Sequence, residues 1–367
     1  MLRLRVRWPS FWCVAITAFV LGGQPTQALA SCGWKVVTSA ASDEGRLLAV
    51  SAVSPSNVWA VGVFIYSGGR ALVEHWNGSS WEVTPTPADA LNQSELAGVA
   101  AIPGTDRVWA IGDAYGRPDG DADPLVELWT GSRWKLISTP SLAHGGQLTG
   151  VVAFSSRDAW AVGASFAQIG STPKTLTEHW NGSAWTVVAS PAPLTDSGFG
   201  AVTGVSGHDV WAVGEAQKDE NSPTKTLTAH WNGSGWHLIS NPGSQPAGFR
   251  LLRAAAAVSS NDVWAAGGDL VMRWDGSAWR LVDPGVSGGF LLGMTAVPSG
   301  DVWAVGFTGG VDTQTALIEH WHGARWSATT GPALPIPQLL AASADSIHDV
   351  WAVGNAGGQP LVERRSC

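Results

Sequence analysis

Apolar residues in this chain fall in short blocks that recur at regular distances. The block Asp158-Ala-Trp-Ala-Val-Gly163 is apolar at successive positions, which predicts a strand buried on both faces. A variable stretch follows, then Leu176-Thr-Glu-His-Trp180, an Asn181-Gly182 pair and a second aromatic strand, Trp185 to Val188. A small apolar run, Leu148 to Phe154, precedes the block. Each unit therefore reads as four strands, the last two joined by a type I′ Asn-Gly hairpin turn.

The first block recurs around Trp59, Trp109, Trp160, Trp211, Trp264, Trp303 and Trp351. The second Trp recurs at Trp76, Trp129, Trp180, Trp231, Trp274 and Trp321, and the third at Trp81, Trp134, Trp185, Trp236, Trp279 and Trp326. Repeats of about 40 to 50 residues, each holding several short strands, point to a β-propeller. The expected fold class is all-β: a seven-bladed β-propeller with four-stranded antiparallel blades. After Trp351 the chain ends as LVERRSC, with Arg365 where the second Trp belongs, and the missing third Trp stands near the N-terminus as Trp34. The seventh blade is thus expected to be split, Leu361 to Cys367 supplying its third strand and Trp34 to Val37 its outermost, which leaves no free edge.

Arg3, Arg5 and Arg7, an apolar stretch through Leu21 and the small-residue site Ala28-Leu29-Ala30 predict a secretory signal peptide over 1–30, ahead of one propeller domain over 31–367. Nothing later is long and apolar enough to suggest a membrane-spanning helix. The net charge of −8 and the lack of a basic stripe argue against nucleic acid as a partner. Of the 22 tryptophans only Trp8 and Trp12 lie outside the repeat. With Cys13 in the leader, Cys32 and Cys367 remain, and the split blade places both at one hairpin turn. A disulfide is expected there, stabilising by roughly 4 to 5 kcal/mol in the chain-entropy limit. The rival reading is a lipid anchor on Cys32, since Leu29-Ala30-Ser31-Cys32 also resembles a lipobox.

Asp158, Asp209, Asp262, Asp301 and Asp349 stand two places before the first Trp, with Asn57 and Arg107 as exceptions; a short turn whose side chain bonds local backbone N–H groups is expected. Glu74, Glu127, Glu178, Glu319 and Glu363, mostly followed by His, sit on the third strands of separate blades and cannot converge on one site. They are read as framework hydrogen-bonding groups.

Loop lengths locate the working face. The turns between strands one and two, and three and four, are short and share one face. The variable loops between strands two and three share the other with the inter-blade links, and in the fifth blade that loop shrinks to Gly268-Asp269. Binding resides on such loops. Candidate ligand-binding residues are Tyr115, Arg117, Lys218, Arg250, Arg253 and Asp269. Asp119, Asp121 and Asp123 alternate as Ca²⁺ ligands do, although the sixth-position Gly and terminal Glu of an EF-hand loop are missing. No other cofactor is suggested.

Val-Trp-Ala-Val-Gly, a loop, then Glu-His-Trp-Asn-Gly-Ser-x-Trp resembles the kelch repeat over Trp34 to Glu363, with a single Gly usually replacing the glycine pair. The resemblance implies a kelch-like or galactose-oxidase-like propeller of a secreted bacterial type and says little about activity. Copper–tyrosyl oxidase chemistry in that superfamily needs a Cys-linked Tyr, and Tyr66 and Tyr115 have no such cysteine. Two functions are expected. The first is an exported, non-catalytic module presenting its loop face to a glycan or an extracellular protein. The alternative is an extracellular carbohydrate-active enzyme, hydrolase or lyase, using Asp113, Asp269 and Arg253 in the central cavity.

Overall fold

The computed structural model describes residues 32–65, 68–91, 93–116, 122–166, 172–219, 221–243, 251–329 and 331–367; the expected leader over 1–30 lies outside them. Seven four-stranded antiparallel sheets make up a propeller. Blade three shows the plan: Gly146–Ser155, Asp158–Ser165, Lys174–Trp180 and Trp185–Val187, paired in that order outward from the central channel. Blade seven is built of Pro337–Ser346, Asp349–Ala356 and Gln359–Ser366, and the N-terminal strand Gly33–Val36 supplies its outer edge, with Trp34 opposite Arg365. Cys32 and Cys367 form a disulfide across that edge, their Cα atoms 4.6 Å apart. No helix among the described residues is long and apolar enough to cross a membrane.

The second strands are apolar at successive central positions because each is covered there on both sides. Their indoles, at Trp59, Trp109, Trp160, Trp211, Trp264, Trp303 and Trp351, are the largest fully buried side chains. Each one wedges against the outer aromatics of the next blade. Trp160 lies 4.8 Å from Trp231 and 5.4 Å, edge-on, from Trp236, and Trp351 closes the ring against Trp76 and Trp81. Where blade seven lacks its second Trp, the Arg365 guanidinium lies 5.0 Å over the Trp303 ring and covers it by a cation–π contact. Removing one such indole costs about 3 to 5 kcal/mol.

The polar repeats complete the wedge. His179 stands over Trp160 and bonds Asp158 through Nε2 at 2.9 Å, and the same arrangement joins His230 to Asp209 and His320 to Asp301. The repeated Asp thus holds an imidazole from the third strand and not, as expected, its own turn's backbone. Blades five and seven use Arg273 and Arg364 over Trp264 and Trp351, each on the matching Asp262 or Asp349. Blade two carries Arg107 in place of the acid, and there the imidazole position is Leu128. The two positions work as a pair.

Two further local details follow from the backbone. Trp180 pairs with Trp185, so the connection is Asn181 to Ala184, and Asn181 Oδ1 accepts the amides of Ser183 and Ala184. A type I′ turn needs positive φ at both central residues, whereas here Gly182 alone has it, at 96°. The Asn side chain caps a wider loop and the I′ expectation is corrected. Gly163, within the second strand, faces a bulge: a Cβ there would collide with the Gln147 carbonyl of the inner strand.

The third-strand glutamates are fully buried, and in blades one, two and six they tie the blade to the link that enters it. Glu74 accepts from Ser39 Oγ at 2.6 Å and from the Ala41 amide at 3.0 Å, Glu127 from Thr86 and Ala88, and Glu319 from the Val286 amide. Glu178 and Glu363 find no partner among the described residues, and burial pushes both carboxyls up to about 7.

Two stability predictions follow. The C32S/C367S double variant folds to the same ring but unfolds at lower denaturant, with a loss no larger than roughly 4 to 5 kcal/mol, read by guanidinium titration of oxidised wild type against the variant. For Glu178, a folded-state pKa above the unfolded value means that its stabilising contribution is present below about pH 4.5 and lost as pH rises through about 7. E178Q should therefore match wild type at pH 4 and exceed it by up to about 3 kcal/mol above pH 8. Parallel stability–pH curves for the two proteins would overturn this assignment.

Candidate functional site

The inner strands of six blades carry one extra residue opposite the second-strand Gly. In blade three Leu148 pairs with Gly163 and Gly150 with Val162, so Thr149 is left over and bulges into the channel. The same register shift leaves over Leu48, Ala97, Gly200, Leu292 and Leu340. In blade five Arg253, whose amide bonds the Ala266 carbonyl just before the strand Ala254–Ser259, occupies the equivalent place. A bulge re-aims a side chain, and here it aims one from every blade at the propeller axis. All seven line one cavity of ≈ 560 Å³. Six are aliphatic, small or hydroxylic, and only Arg253 is charged.

The cavity opens on the face of the variable loops, because its upper wall is made by the first residues of inner strands and the last residues of second strands. Glu95, Gln147 and Phe290 come from the former and Asp113 from the latter. Asp113 and Glu95 are direct partners across the ladder of blade two. Like charges so placed repel, and Glu95 is held by Arg46 at 3.1 Å. Asp113 is only 8% exposed. Burial first, and the Glu95 charge second, push its carboxyl up to about 6.

Arg253 stands three blades further round, almost diametrically across the axis. Its side chain is exposed to the channel and also borders two smaller recesses of ≈ 150 and ≈ 130 Å³, the second of which holds Asp196 and Glu215. Burial raises the Glu215 carboxyl, the nearby Arg253 guanidinium lowers it, and Asp196 raises it. The mouth is therefore bipolar: a carboxylate pair on one wall, a guanidinium on the other, and a floor of Leu48, Leu292 and Leu340.

Of the residues singled out in the sequence, Arg253 lines this mouth, as does Asp113 from the enzymatic alternative. Tyr115, exposed at the end of the strand Val108–Tyr115, stands beside the acidic wall, and the Asp113 charge is the chief reason its phenol is raised, with burial next. Asp269, at the hairpin tip of blade five, and Lys218, beyond the strand Asp209–Gln217, are exposed and do not line it, although Gly268 beside Asp269 does. Arg117, Arg250, Asp119 and Asp121 lie outside the described residues, so of the calcium candidates only Asp123, in Ala122–Trp129, is placed. Glu95 and the ring of bulged residues went unrecognised. Their signal is the triplet Leu/Phe-x-Ala/Gly at each inner strand, in which x is charged once, at Arg253.

No family model and no curated protein matches the chain. The solved structures it is similar to are propellers. One, described as YCF48 bound to D1 peptide, is 14% identical, with 93% of this chain and 97% of that chain covered and a TM-score of 0.59. YCF48 from Cyanidioschyzon merolae is 19% identical over 91% and 99%, with a TM-score of 0.56. The WD40 propeller domain of Doa1 is 14% identical over 91% and 97%, with a TM-score of 0.60. The likeness shows the fold: a seven-bladed propeller.

The electrostatic link between Asp113 and Tyr115 is directly measurable. D113N removes the negative charge that disfavours the phenolate, so the Tyr115 phenol should titrate at lower pH than in wild type. Ultraviolet difference titration reads this, with Y115F identifying the Tyr115 transition; an unchanged Tyr115 midpoint in D113N would dissolve the link.

Proposed function

We propose that this chain is an exported, non-catalytic binding module that seats an extended polypeptide segment of an extracellular protein at the channel mouth. The observation that carries the reading is the bipolar ring: Glu95 and Asp113 suit a basic side chain, Arg253 suits a carboxylate, and the leucine floor takes the apolar stem between them. Charges of opposite sign on opposite walls match a segment that carries ionic side chains, which favours a polypeptide over a neutral sugar. The propeller described as YCF48 bound to D1 peptide supports a peptide as the kind of ligand.

A second reading, the extracellular carbohydrate-active enzyme, draws on one observation: Asp113, at about 6, sits beside a second carboxylate in the central cavity. The two lie on adjacent strands of one wall, however, whereas a glycosidase pair flanks the scissile bond. Release of reducing ends from polysaccharides by wild type and not by D113N would favour this second reading over the first.

Panning a displayed peptide library on the folded chain tests the binding module. Enriched sequences should carry Lys or Arg and lose about tenfold or more in affinity for D113N and for R253Q. Binding should weaken as pH falls through about 6, where Asp113 takes up a proton and its charge is lost. Ala97→Trp, which fills the ring, should abolish it. Equal enrichment on A97W and wild type would refute the proposed seat.

A further inference from the structure

On the face opposite the channel mouth, blade six departs from its neighbours at one residue. In blades one, three and four the turn after the second Trp of the repeat begins with Asn77, Asn181 or Asn232, and in blade five with Asp275. In each case the side-chain oxygen accepts the amides two and three residues on. Blade six has His322 there. The turn survives through the backbone bond from His322 to Arg325, but the imidazole makes no such cap and turns to the framework acid, with Nδ1 3.3 Å from Asp301 Oδ1. That same oxygen already holds His320 Nε2 at 2.9 Å. Two imidazole nitrogens and a carboxylate oxygen thus lie within 4.8 Å of one another.

We propose that Asp301, His320 and His322 bind one zinc-class divalent cation. Two imidazoles and one carboxylate are a donor set that Zn²⁺ takes, with water completing a tetrahedron. At Zn–N and Zn–O distances near 2.1 Å, tetrahedral ligand atoms lie about 3.4 Å apart. The His322 contact already has this separation and the His320 contact must open by about half an ångström. The supports are in place: Ser299 Oγ bonds Asp301 Oδ2 at 2.7 Å and fixes the carboxylate with Oδ1 toward the imidazoles, and the His320 ring is stacked 3.7 Å from Trp303. His320 and Asp301 are mostly covered, with side chains 10% and 15% exposed, while His322 at 67% leaves an entry path from solvent. The opposing charge is Arg365, over the same Trp303 ring. The ion would clip the turn between the outer two strands to the turn between the inner two.

The test uses the untagged full chain, metal-free, titrated with Zn²⁺ by calorimetry and by thermal melting. Wild type should take up one equivalent and melt at higher temperature with Zn²⁺ than with chelator. His322→Asn installs the residue that blades one, three and four use at this turn, so it keeps the turn and the Asp301–His320 pair. It should match wild type in chelator yet lose the saturable equivalent and the zinc-dependent shift. The proposal is overturned if wild type takes up no zinc, or if H322N binds it as wild type does.

Discussion

Six of the seven blades are held to the next by one indole clamped between two others, and the seventh junction replaces one of the two with a guanidinium. The constraint explains why the second strands are apolar at successive positions through their central Val-Trp-Ala-Val block: a strand whose two faces both meet another sheet has no solvent side on which to place polar residues there. It also explains where the remaining polar groups go. An imidazole or guanidinium from the third strand covers the buried ring and is itself anchored on an acid from the preceding turn, as His179 is on Asp158. Blade two omits both anchor and cover, Arg107 with Leu128, and its Trp109 remains fully buried against Trp180 and Trp185. The indole wedge therefore determines the contact, and the polar pair orients it.

Closure of the ring obeys the same rule with different chemistry. The gap left by the absent second Trp of blade seven is filled by Arg365, and the outer indole comes from the opposite end of the chain as Trp34, 5.9 Å from Trp303. A wheel joined this way depends on two chain ends staying together, and the bond between Cys32 and Cys367 removes the freedom that would let the outer strand peel away.

The wheel was legible in the sequence because the wedge demands a Trp at set positions, and a residue type that occurs at such intervals needs no neighbour to identify it. The blade count, the split blade and the disulfide all came from those positions. What the repeats did not disclose was pairing across strands. Nothing in Asp158 read alone distinguishes a cap on its own turn from a seat for His179, and only blade two, where both positions change together to Arg107 and Leu128, carries that information. The mouth was harder still. Arg253 was one of six candidate ligand-binding residues, but its meaning depends on a bulge, and a bulge is a difference in register between two strands that neither strand shows by itself.

The bulge also separates the two tasks of the inner strand. Residues on either side of it, Leu148 and Gly150 in blade three, are tied to the second strand and to the next blade, and their sizes are fixed by those contacts. The bulged residue makes no ladder pair and faces the channel, although the neighbouring blade still constrains it in places: Thr149 Oγ1 donates to the Phe199 carbonyl, and a Cβ at Gly200 would press on the Leu252 carbonyl. A seven-bladed ring with one such position per blade forms a collar at its axis, in which the one charged member, Arg253, faces Glu95 and Asp113 of the wall above. The turn positions on the other face also vary, with Asn, Thr, Asp and His all found where the backbone bond across the hairpin is kept. His322 uses that variability to reach Asp301, which places the two departures from the repeat at opposite ends of the axis, neither of them at a residue the wedge requires.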